Sequence, residues 1–242
     1  MQSSRTGSIP RLRTAALCLL LVSSAASADR PFAPGGSDDT IFADGFDGVV
    51  VVPPVSGYDD LVEGDLGPAF DYNGIHYHDA NGIGGVFPDG STFTAADVGS
   101  DFIIEDITDF YVDFPDFGSP PNALTFGNTY VPGPNLSIGA MVRATMDLGA
   151  PANAASLVLA YYENGPWGGI EIHLDALAGD AVVASDTLTI ADGGGRDNAT
   201  TAALGVTGAT FDTLKLYATY AGQPSAPRFM IDDLTVSAAP PR

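Results

Sequence analysis

The sequence predicts an all-β fold, a two-sheet antiparallel β-sandwich. Three observations carry this. Short segments between Gly57 and Ser237 alternate apolar and polar residues with a period of two. Clusters of Gly, Pro, Asn and Asp separate them. No segment carries a helical apolar stripe over three turns.

Phe70–His78 (FDYNGIHYH), Asp101–Asp106 (DFIIED) and Asn122–Phe126 (NALTF) are the first strong strand candidates. In Asn135–Met146, Leu136, Ile138, Ala140, Val142, Ala144 and Met146 face one way, and Ser137, Arg143 and Thr145 the other. Ser156–Tyr162 (SLVLAYY) follows. In Gly169–Leu177, Ile170, Ile172, Leu174 and Ala176 oppose Glu171, His173 and Asp175. Ala181–Ile190 is the next strand. In Thr213–Tyr220, Leu214, Leu216, Ala218 and Tyr220 oppose Lys215, Tyr217 and Thr219. Phe229–Val236 (FMIDDLTV) closes the series. One apolar and one polar face per strand marks antiparallel sheets with a solvated side. About ten such strands without helices suit a jelly roll.

The sandwich spans residues 57–237. Residues 1–28 read as a signal peptide: Arg5, Arg11 and Arg13 precede the apolar run Ala15–Val22, and Ala26-Ser27-Ala28 is a small-residue cleavage site. That run is too short to span a bilayer comfortably. Residues 29–56 read as a linker carrying IFADGFD (Ile41–Asp47), and residues 238–242 as a tail. The single cysteine, Cys18, lies in the signal. An exported, disulfide-free chain must draw its stability from core burial or from metal. The expected location is secreted or extracellular, with periplasm or cell surface as variants.

After residue 28, thirty acidic residues face six Lys and Arg, a balance of −24. Such a surface repels nucleic acid and anionic membranes, which bind basic footprints. Hard carboxylate oxygens suit divalent cations, and acidity alone also keeps exported proteins soluble.

No catalytic signature stands out. There is no G-x-S-x-G elbow and no cysteine after the signal. His76 and His78 share one strand face and with Asp79 make a possible metal set, against solvated polar residues as the alternative. Ala191–Asn198 reads as a hairpin turn rather than a calcium loop. Aromatic rings near small residues offer stacking faces for sugars. Tyr161, Tyr162 and Trp167 in YYENGPWGG are one such group, and Trp167 capping the core is the alternative. Tyr217 with Lys215 on a polar strand face is a second.

The order of YDDL (Tyr58–Leu61), Ser119–Asn128 (SPPNALTFGN) and the closing FMIDDLTV resembles jelly-roll domains of secreted bacterial surface proteins. Those include domains of proteins with PEP-CTERM sorting tails and, more distantly, galactose-binding-like carbohydrate-binding modules. IFADGFD resembles a segment of other exported bacterial proteins, whereas the sorting tail is missing from SAAPPR. The resemblance implies a structural calcium where the first and last strands meet, shared by Asp59, Asp60, Asp232 and Asp233. Alternation places Asp232 on the face of Met230, Leu234 and Val236. The expected function is non-catalytic, lectin-like binding of an extracellular or cell-envelope glycan. A structural or adhesive role without a small ligand is the alternative, and a hydrolase the least favoured.

Overall fold

A computed structural model describes residues 55–106, 117–127, 140–163, 167–191 and 198–239. The predicted signal peptide, IFADGFD, most of the predicted turn Ala191–Asn198 and the last three residues therefore lie outside the described residues, as do residues 136–139 of the predicted middle strand.

The described chain is antiparallel β almost throughout. Its strands are β1 (Val55–Ser56), β2 (Gly64–Gly67), β3 (Phe70–Tyr72), β4 (Ile75–His78), β5 (Gly85–Val86), β6 (Thr92–Phe93) and β7 (Asp101–Asp106). They continue with β8 (Asn122–Gly127), β9 (Arg143–Glu163), β10 (Glu171–Ala178), β11 (Ala181–Thr189), β12 (Asn198–Tyr220), β13 (Gln223–Pro224) and β14 (Phe229–Ala238). One helical turn, α1 (Ala95–Val98), stands before β7, with Thr94 and Asp97 forming a reciprocal capping box. No described helix is long and apolar enough to cross a membrane.

β9 and β12 are much longer than the sequence predicts, and this builds the sandwich. The first half of β9 (Arg143–Asp147) pairs with Thr213–Tyr217 of β12. Its second half pairs with Asn198–Phe211 of the same strand. Register shifts between Thr207 and Thr213 mark the break in β12. The early half of β9 and late half of β12 belong to one layer, in the order β3-β4-β9-β12-β10-β11. The remaining halves join β14, β8, β7 and β2 in the other.

The inner faces meet in one apolar core. Ile75, Tyr77, Met146, Leu174 and Leu216 come from the first layer; Phe102, Leu124, Phe126, Leu159 and Ile231 come from the second. Phe70 of β3 meets Phe102 of β7 edge-on at 5.2 Å, ring centre to ring centre, so the two layers touch directly. The predicted single strand Phe70–His78 is instead a hairpin. Asn73 and Gly74 both adopt positive φ, 51° and 77°, as a tight two-residue turn requires.

Candidate functional site

The outer face of the first layer collects polar side chains in rungs, because strand residues two apart share a face and register aligns neighbouring strands. One rung runs Thr187–His173–Tyr217–Arg143 across β11, β10, β12 and β9. The next runs Ser185–Asp175–Lys215–Thr145–His78 and reaches β4. A third holds Thr213, Asp147, His76 and Asp71. All three histidines of the chain thus stand on this face.

Most of these groups are committed to each other. His173 contacts Thr187 Oγ1 through Nδ1 at 3.0 Å and Thr219 Oγ1 through Nε2 at 2.9 Å. Its ring stacks on Tyr217 at 4.7 Å. The Tyr217 hydroxyl donates to Asp175 Oδ2 at 2.9 Å. Partial burial first, and that carboxylate second, push the phenol up to about 12. His76 and His78 stack at 5.2 Å; His76 contacts Asp71 at 2.7 Å and His78 contacts Asp147 at 3.1 Å. No group of three or more His, Cys, Asp or Glu side chains is placed to hold a metal ion among the described residues. His76 thus meets Asp71 alone, while His78 meets Asp147 and, through Nδ1 at 3.4 Å, Asp79.

A cleft of about 290 Å³ opens on this face between β9, β12 and the turn before β13. Tyr217, Lys215, Thr219, Arg143, Thr145 and Asp79 supply its polar wall, with Ile83 and Pro224 among its apolar parts. The predicted pair Tyr217 and Lys215 is therefore together in one cleft. Arg143 was legible as a polar-face residue, not as a site residue. The scarcity of cations after residue 28 is the feature of the sequence that could have singled it out.

The other predicted stacking group is placed differently. Tyr161 is 3% exposed and belongs to the core, so its ring cannot serve a surface ligand. Trp167 is half-buried, packs against the core and meets Phe87 edge-on at 5.5 Å. It caps the end of the sandwich, and its Nε1 has no partner among the described residues. The side chain of Tyr162 lies outside the described residues.

The predicted acidic cluster divides. β1 pairs with β14, so the opening segment does lie against the closing strand. Asp232 is fully buried; its Oδ2 accepts from the Ser119 N–H at 2.8 Å and its Oδ1 from the Asp233 N–H at 2.7 Å. Asp233 Oδ1 accepts from Ser119 Oγ at 2.9 Å, and Asp59 Oδ1 from the Asn122 N–H at 3.1 Å. Asp60 turns away and accepts from the Tyr72 hydroxyl, a correction to the predicted set of four. Burial, with Asp233 and Asp59 adding repulsion against the two N–H donors, pushes the Asp232 carboxyl up to about 8.

Gly57 approaches this knot closely. A Cβ there would lie 2.6 Å from Ser119 Oγ, 3.3 Å from Asp59 Oδ2 and 3.5 Å from Asp233 Oδ1. These all-oxygen donors fit the chemistry of calcium, though the carboxylates already take protein hydrogen bonds.

The chain matches no family model and no curated protein. Among solved structures it is similar to the K2 cleaved adhesin domain of Lys-gingipain, at 10% identity and a TM-score of 0.42, covering 77% of this chain and 98% of that one. It is also similar to a carbohydrate-binding module of Cellvibrio mixtus lichenase 5A in complex with cellotriose. There identity is 10%, TM-score 0.24, and coverage 77% of this chain and 96% of that one. At these values neither likeness fixes a ligand.

Proposed function

We propose that this protein is an exported, non-catalytic sugar-binding module whose glycan lies in the cleft on the outer face of the first layer. The observation that carries the reading is the placement of Tyr217. One side of its ring is backed by His173, and the residue lines an open cleft rimmed by hydroxyls and cations. A ring held rigid from behind gives a sugar an apolar stacking face at little entropic cost. Thr219, Lys215 and Arg143 are the hydrogen-bonding groups around it.

Titration of the exported chain against a panel of neutral and acidic oligosaccharides tests this. Binding is expected for at least one sugar, and Tyr217→Ala should weaken it by about tenfold. Trp167→Ala should lower the melting temperature, since that ring caps the core. Silence across the panel, with calcium present, would return the chain to a structural or adhesive role.

A structural calcium is the second part of the proposal. Asp59 and Asp233, with Ser119 Oγ, would hold it, next to the buried carboxyl of Asp232. EDTA is then expected to lower the melting temperature, and Asp233→Ala to remove most of that difference. Identical melting curves with and without chelator would eliminate the calcium.

A further inference from the structure

We propose that the sugar taken by this cleft carries a carboxylate, held between Arg143 and Lys215. This rests on the sugar-binding reading above and specifies its ligand class. Six Lys and Arg follow residue 28, against thirty carboxylates. Two of the six line the same cleft. In so acidic a chain the expected fate of a cation is an ion pair with a neighbour. Yet every ion pair among the described residues is made by a histidine, and neither Arg143 nor Lys215 enters one.

Arg143 is held from behind. Its Nε donates to the Asn81 carbonyl at 3.0 Å, and its own carbonyl accepts from the Asn81 N–H at 2.9 Å. Asn81 is fully buried and locked in turn. Its amide donates to Val98 and Ala140 carbonyls, both at 2.9 Å, and its Oδ1 accepts from the Val142 N–H at 2.7 Å. With Nε committed, the terminal nitrogens remain as a fixed, planar donor pair. That geometry matches the two oxygens of a carboxylate.

Lys215 stands on the neighbouring strand, one rung away, exposed and diagonal to Arg143. Diagonal neighbours lie roughly 7–8 Å apart at the backbone, close enough for long side chains to bracket one anion. Asp175 faces Lys215 across the ladder but gives Oδ2 to Tyr217 and lies beyond ion-pair distance of the lysine. Asp79 is the carboxylate in the lining, and it pairs with His78 Nδ1 at 3.4 Å. The overall charge of the chain opposes an anion at a distance. With a Debye length of about 8 Å at physiological salt, that opposition is screened, whereas direct contact is not.

The test uses oligomers of galacturonate, glucuronate and mannuronate, each beside its methyl ester, which keeps the sugar and removes the charge. Calorimetry is expected to show at least one acid bound, and its ester weaker by roughly ten- to hundredfold. Arg143→Gln and Lys215→Gln should each weaken the acid and leave the ester nearly unchanged. Arg228→Gln, a cation outside the cleft, should change neither. Lys215 is exposed, so its variant carries the test if Arg143→Gln does not fold. Equal binding of acid and ester, or of wild type and both cleft variants, overturns the carboxylate while the sugar cleft stands. Failure of every sugar, neutral or acidic, overturns both readings.

Discussion

At the scale of single residues, the buried carboxylates set a pH dependence of unusual sign. Asp232 is fully buried and Glu105 is 4% exposed; Glu105 Oε2 has no partner among the described residues. Burial first, then neighbouring acids, push Asp232 up to about 8 and Glu105 up to about 7. In the unfolded chain both would titrate near pH 4. Below that value both states are protonated and the fold is at its most stable with respect to these groups. As pH rises toward 8 the unfolded chain releases protons that the folded chain retains, so stability falls. The combined loss is on the order of a few kcal/mol. In chelator, the urea midpoint should therefore drop between pH 5 and 8, by about one molar. Asp232→Asn with Glu105→Gln should flatten the profile. A midpoint that rises with pH in wild type would show instead that these carboxylates are held ionised. Calcium beside Asp232 would act in that direction, which makes the pair of curves with and without the ion informative.

At the scale of elements, β14 shows what alternation can and cannot reveal. Its position as closing strand was legible, as were β7, β8, β10 and β11. Simple alternation, however, puts Asp232 with Met230, Leu234 and Val236. The register shifts between Asp232 and Thr235, and Asp233 takes φ +49°. This bulge moves Leu234 and Val236 to the core face shared by Phe229 and Ile231. Asp232 is left on the other face, under the segment Phe117–Ser119. The bends in β9 and β12 hid their length for the same reason: LGAPANAAS reads as a turn, yet it is paired strand across two layers. The exposure of Trp167 was illegible because Phe87, eighty positions away, decides it. The bulge and its covering segment make one unit, and Gly118 joins them. Its φ is +46°, and a Cβ there would lie 2.0 Å from Asp232 Oδ2. Gly118→Ala must therefore displace the segment and strip Asp232 of the Ser119 N–H. A loss of about 2–4 kcal/mol is expected by chemical denaturation, and a loss below 0.5 kcal/mol would mean that the segment does not clamp the bulge.

At the scale of the whole molecule, the charge balance should set how the fold responds to salt. The balance of −24 after residue 28 is a net self-repulsion that favours expansion. Salt usually has two opposed effects, screening repulsion between like charges and weakening ion pairs. Among the described residues the second is nearly absent. The four ion pairs among the described residues all involve His76, His78 or His173, which are attractive only when the imidazole is protonated. Screening is therefore expected to act mainly on the repulsion. Sodium chloride is the proper probe, because sulfate would strengthen apolar burial by itself. Chelator must be present, because a bound divalent ion would also change with salt. Going from about 0.01 M to about 0.15 M shortens the Debye length from about 30 Å to about 8 Å. Over that range the melting temperature at pH 8 should rise by a few degrees and then level off. A fall with added salt would mean that attractive charge contacts dominate.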